Sequence, residues 1–218
     1  MGAFQDGLRS GVGTLYERPG GSIIYSGEWV SGLYHGEGSC VQLPKGGNQS
    51  PDHDSSLQYE GTFFNGLRQG FGMLANKSNG IICKGYWHRD KPVNGKWRIT
   101  FKDGSIYSGD VKIREEEDAS TNSGTRTAIW SNLPESDIPP VSSNFEIRIP
   151  LPDGFGAMRY SNGDVYIGTF KDGMRKGSGS LFANGEKLEG VWEDDVLDID
   201  DNGTIASTMN EYSDIHAH

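Results

Sequence analysis

Apolar and polar residues alternate over short runs of this chain, and Asn-Gly, Asp-Gly or Ser-Gly pairs interrupt the alternation at regular places. A period of two marks strands with one face apart from the other. The interrupting pairs Asp6-Gly7, Ser31-Gly32, Asn65-Gly66 and Asp172-Gly173 suit the positive φ angles of tight hairpin turns. A second set, Gly20-Gly21, Asn79-Gly80, Asp103-Gly104, Asn162-Gly163 and Asn184-Gly185, links one hairpin to the next. Hairpins joined by hairpin turns predict one antiparallel meander.

The hairpin is an internal repeat. Counted from Tyr166 as offset zero, glycine stands at two, an aromatic at four, and glycine again at seven, eleven and thirteen; Tyr25 and Tyr59 lead copies with the same spacing. Reflection about the turn predicts that offset four faces nine, two faces eleven and zero faces thirteen. Alternation gathers zero, two, four, nine, eleven, thirteen and fifteen on one face. Each Tyr then lies across bare glycine backbone. Phe63 with Arg68 and Phe170 with Arg175 place a guanidinium beside a ring, a cation–π arrangement.

The pattern YxGxWxxGxxxGxG, best at 25–38, 59–72 and 166–179, resembles the MORN repeat (membrane occupation and recognition nexus). The resemblance covers most of the chain apart from two insertions and the tail. It implies an all-β fold, an elongated single-layer antiparallel meander of tandem hairpins, mostly eukaryotic, serving as a scaffold or targeting module. It also brings in phospholipid binding as a proposed activity of such repeats.

The expected organisation has repeats over 1–111, an acidic, proline-containing insertion over 112–150, repeats over 151–195 and an acidic tail over 196–218. The first copy is partial: Gly2, Phe4, Gly7, Gly11 and Gly13 hold their offsets, but the leading Tyr position precedes Met1. A natural half-copy and a fragment of a longer protein both fit. Residues 44–57 form a polar, turn-rich loop insertion. The copy starting at Cys83 departs from the pattern: Arg89-Asp90 replaces the turn, Pro92 stands opposite Trp87, and Trp97 replaces a glycine after a slip that suggests a bulge. The copy starting at Tyr107 is split, with Gly154-Phe155-Gly156 finishing it and Asn144–Leu151 resuming the sheet. The last copy is Leu188, Gly190 and Trp192, with an Asp194-Asp195 turn.

Hydrophobic residues make up only 34% of the 218 positions, against 32 glycines. That is poor material for a closed core but sufficient where each unit packs on its neighbours. Cys40 and Cys83 hold different offsets, so they form no obvious pair and a reduced, cytoplasmic chain is expected, membrane- or cytoskeleton-associated. The net charge of −10 falls almost wholly after residue 110. This weighs against nucleic acid, and anionic phospholipid would need a local basic patch in the first half.

The candidate chemistry is thin. Asp198, Asp200, Asn202 and Gly203 match the start of a calcium loop, but Met209 stands where its bidentate Glu belongs; an extra tail hairpin, with a strand from Val196, a turn at 200–203 and a strand from Thr204, accounts for the same residues. Asp52, His53 and Asp54 lie together on the first insertion without distant partners, and His35, His53 and His88 have no nucleophile at a recognisable spacing. No cofactor is implied. The arginines at offset nine are either a phosphate- or carboxylate-binding stripe or covers for cross-strand rings. The aromatic ladder is either core or partner surface, and a single layer would leave it open. The expectation is a non-catalytic scaffold holding a protein or peptide along the ring face. Its residues would be Phe4, Tyr25, Trp29, Tyr34, Tyr59, Phe63, Arg68, Trp87, Tyr107, Tyr166, Phe170, Arg175 and Trp192, with strand-edge pairing adding a homodimer. The alternatives are a phospholipid-targeting module and the regulatory repeat region of a larger enzyme.

Overall fold

The computed structural model describes residues 2–17, 21–42, 57–113 and 150–198. They form one open antiparallel sheet of 15 strands, and the described residues contain no helix. Its strands are β1 (Gly2–Gln5), β2 (Leu8–Tyr16), β3 (Ile23–Val30), β4 (Leu33–Gln42), β5 (Leu57–Phe64), β6 (Leu67–Asn76), β7 (Ile81–His88), β8 (Lys91–Pro92), β9 (Gly95–Thr100), β10 (Ile106–Lys112), β11 (Leu151–Arg159), β12 (Val165–Lys171), β13 (Met174–Ala183), β14 (Glu186–Glu193) and β15 (Val196–Leu197). Strand order follows chain order, except that β8 and β9 both pair with β7. That division is the slip expected at 94–97. The strand expected from Asn144 lies outside the described residues up to Pro150, where the description resumes.

The face assignment holds, but the partners across each hairpin differ from those expected. Offset four does face nine, as in Trp29 opposite Tyr34 and Phe63 opposite Arg68. Beyond that the register jumps, so that offset two faces thirteen and zero faces fifteen: Gly61 opposite Gly72, Tyr59 opposite Leu74. The cause is the offset-eleven glycine. Gly70 has φ +75, a left-handed value that leaves the ladder of its own hairpin and forms a bulge. It pairs instead with the aromatic of the next unit, Trp87, just as Gly36 pairs with Phe63 and Gly177 with Trp192. The glycine that looked like a rung within one hairpin is the bed for its neighbour's ring.

The core is a column of rings. Tyr25, Tyr59, Tyr107 and Tyr166 lie over the paired glycines at offsets two and thirteen; a methyl on Gly72 or Gly179 would collide with the Tyr59 or Tyr166 hydroxyl. Each hydroxyl donates to the carbonyl three residues on, as Tyr25 does to Glu28 at 2.8 Å and Tyr166 to Thr169 at 3.2 Å. Edge-to-face contacts then join unit to unit: Tyr25 meets Phe63 at 5.3 Å, Tyr59 meets Trp87 at 5.4 Å, Tyr107 meets Phe170 at 5.1 Å and Tyr166 meets Trp192 at 5.3 Å. Such pairs add about 0.5–1.5 kcal/mol to the area they bury. In the irregular unit Cys83 has no ring, and Trp97 from the facing strand covers Gly85 instead, packing on Trp87 at 5.7 Å. The substitution of one large side chain for another keeps the column continuous there.

Candidate functional site

The column consumes the residues expected to form an open partner face. Tyr25, Tyr107 and Tyr166 are 0% exposed, and Trp29, Tyr34, Tyr59, Phe63, Trp87, Phe170 and Trp192 are all buried. A second layer is not needed to cover them, because glycine lets each ring lie flat on backbone and the next unit's ring closes over it. Only Phe4, in the first strand, remains open, at 65%. The ring ladder is therefore the interior of the sheet rather than its docking surface.

The arginines are built into the same interior. Arg68 faces Phe63 in register, but its guanidinium lies over Trp87 of the next unit at 4.8 Å and over Tyr59 at 5.5 Å. Arg175 does the same over Trp192 at 4.3 Å and Tyr166 at 5.6 Å. Each is also held by an aspartate where the next turn has lost its glycine. The Asp90 carboxylate accepts from the Arg68 backbone N–H at 2.8 Å and from Nε at 3.0 Å, and its carbonyl accepts from Nη2. Asp195 repeats the arrangement on Arg175. Asp90 and Asp195 both sit at positive φ, a conformation aspartate tolerates better than most residues. These hydrogen bonds offset its cost.

The calcium reading has little to build on. Asp198 is exposed and its N–H donates to the Val191 carbonyl at 2.8 Å, while Asp200 and Asn202 lie outside the described residues. Val196 and Leu197, expected to open a tail hairpin, pair with Glu193 and Trp192 as the return arm of the last repeat. Among the described residues no three His, Cys, Asp or Glu side chains are grouped to hold a metal ion. His88 meets Gln69 at 3.3 Å and His35 packs near Phe64 at 5.2 Å. Burial pushes the Cys83 thiol up to about 12 and Cys40 to about 11, which keeps both protonated and poorly nucleophilic.

The opposite face carries the surface features. Along β7, Lys84, Tyr86 and His88 are exposed where Cys83, Gly85 and Trp87 are buried. Phe71 and Tyr86 are register partners on β6 and β7, edge to face at 5.5 Å and both more than half exposed; Phe155 on β11 is equally open. Between them runs a groove of about 540 Å³ lined by Phe71, Lys84, Arg98, Ser108, Phe155 and Ala157 among others. Lys84 and Arg98 face each other directly across β7 and β9, and Ser108 follows Arg98 on β10. None of these was among the candidate site residues read from the sequence. The signal was there at offset twelve, where alternation predicts solvent yet Val12, Phe71 and Phe155 are large and apolar.

An open, one-layer array of hairpins, each unit lending a ring bed to the next, defines a β repeat protein. The MORN repeat family model matches residues 1–20, 25–41, 59–79, 151–165 and 166–187. The chain belongs to the MORN-repeat family. Comparison with curated proteins returns no match to the chain. MORN repeats suggest a scaffold or membrane-binding role, and the family is generally non-catalytic.

Proposed function

We propose that this chain is a scaffold that holds a protein partner on the outer face of the sheet, in the groove between Phe71 and Phe155. The supporting observation is that the rings of the inner face are committed to the core, whereas two exposed rings of the outer face, Phe71 and Phe155, stand at a groove. Exposed aromatic and arginine side chains are the residue types that dominate protein interfaces. A reduced, cytoplasmic setting accompanies this reading, with Cys40 and Cys83 as free thiols.

A photo-crosslinking residue placed at Phe155, and another at the exposed Asn162 of a linking turn, tests it in cells. Adducts from position 155 and none from 162 are expected. No adduct from 155, or equal adducts from both, overturns the reading.

Membrane targeting draws on the same groove through its basic residues Lys84, Lys96 and Arg98. Against it stand the net charge of −10 and the carboxylates of Glu37 and Glu60, which share that face. Flotation with phosphatidylserine vesicles at low ionic strength separates the two: salt-sensitive flotation supports the membrane and its absence removes it.

A further inference from the structure

We propose that the groove accepts an acidic segment of a protein partner, one that interleaves carboxylates with apolar side chains. The inference rests on the outer face being the docking face and names the chemistry that face selects. Lys84 and Arg98 are direct register partners on neighbouring strands. Like charges so placed destabilise a sheet. Next to them Lys96 meets Asp110 at 2.8 Å, so a carboxylate neutralises the third cation of the groove. No carboxylate among the described residues does so for Lys84 or Arg98. An incoming carboxylate would relieve that repulsion and engage the Arg98 guanidinium through charge-assisted hydrogen bonds.

The rest of the groove sets the second requirement. Gly109, Gly156 and Ala157 leave its floor low, and Phe71 and Phe155 wall its two ends. The register from β6 through β7, β9 and β10 to β11 spans four inter-strand steps, roughly 19 Å. A segment crossing that distance places apolar side chains on the floor and against the rings, with its acidic ones over the Lys84 and Arg98 pair. Two cations without a carboxylate partner among the described residues, near Asp110 and Glu60, make too small a positive field for a polynucleotide or a bilayer. They suffice for one or two carboxylates.

Fluorescence anisotropy of the full chain with a short fluorescein-labelled peptide of alternating Glu and Leu tests the proposal. A Lys and Leu peptide serves as the control. The acidic peptide is expected to bind and the basic one not. Lys84→Glu with Arg98→Glu is expected to weaken binding at least about tenfold, as loss of charged hydrogen bonds implies. Lys84→Ala with Arg98→Ala, which adds no repulsion, lowers it less, and Lys102→Glu on a linking turn leaves it unchanged. Both cationic positions are exposed, so unchanged circular dichroism accompanies each variant. Equal binding of both peptides, or wild-type affinity in the charge-reversed chain, overturns the proposal. Arg98-dependent binding of phosphatidylserine vesicles without binding of the peptide overturns it in favour of lipid. If position 155 still forms adducts in the charge-reversed chain, docking on the outer face stands and the acidic occupant alone falls.

Discussion

The two faces of the same strands follow different rules. On the inner face the same parts recur from unit to unit, apart from the Cys83 copy and Tyr34 at an arginine position: tyrosine over paired glycines, an indole or phenyl against the preceding unit's tyrosine, an arginine over the next unit's ring. On the outer face the equivalent positions vary freely, so that offset twelve is Val12, Glu37, Phe71, Phe155 and Ser178 in five of the units. Repetition marks what the fold needs, because a one-dimensional array is only as stable as each interface between neighbours. What does not repeat is not needed by every interface of the array, and the groove lies among those positions.

The largest effect is expected where a ring links two units. Trp87→Ala removes a fully buried indole that packs on Tyr59, Trp97 and Arg68, and should cost about 3–5 kcal/mol in urea denaturation. A loss under about 1 kcal/mol would mean the column is not the core. The same outcome applies to Trp29→Ala with Phe63→Ala, which should abolish the β circular-dichroism signal rather than merely a binding surface.

One device, an arginine held by the aspartate of the next turn, occurs twice at different depths. The Arg68–Asp90 pair has side chains 9% and 7% exposed, whereas Arg175–Asp195 has 17% and 48%. The contacts to the two aspartates are alike, and the pairs differ in burial. Asp90→Ala removes the carboxylate that a buried guanidinium engages and should cost about 3 kcal/mol. Asp195→Ala should cost about 0–1 kcal/mol. Equal losses would show that the hydrogen bonds to the strained turn, and not desolvation, set the energetics.

How much of this was legible follows from where each signal lies along the chain. The alternation and the turn pairs sit within a few residues of one another, so hairpins and faces could be assigned. The register could not, because Gly70 resembles any other rung until Trp87 of the next unit is placed against it. The burial of the rings was obscured for the same reason: Tyr25 looks bare until Phe63, from another hairpin, closes over it. Asp90 and Asp195 read as irregular turns, their arginines standing some 20 residues earlier. Lys84 and Arg98 come together only because β9 takes the place beside β7 that β8 leaves.

A subtler contrast appears in alkali. Desolvation raises the Tyr25, Tyr59 and Tyr107 hydroxyls above the ordinary phenol value of 10.0, and that of Tyr166 to about 12. The folded chain then holds protons that the unfolded chain releases. Their contribution is intact below pH 10 and is lost as pH rises from there through the folded values. Exposed Tyr86, on the outer face, does not share this burial. Absorbance at 295 nm and circular dichroism, followed together, should show the buried tyrosines ionising only as the sheet is lost. Full ionisation with the sheet intact would contradict the hydroxyl placement over glycine.

The smallest effect is expected on the outer face and is the sharpest test of the division between faces. Phe155 is 57% exposed, stands opposite Thr169, and takes no part in the ring column. Replacing it with serine removes apolar surface that already meets water, so the change in unfolding free energy should stay within about 0.5 kcal/mol. The inner-face Phe170→Ser, on the adjacent strand and buried against Tyr107 and Tyr166, should approach the cost of Trp87→Ala. On the proposed reading, a ring of this size where folding gains little from it serves the partner that docks there. If Phe155→Ser instead destabilises the chain as much as Phe170→Ser does, the outer ring is structural, and the groove loses its reason to be a docking site.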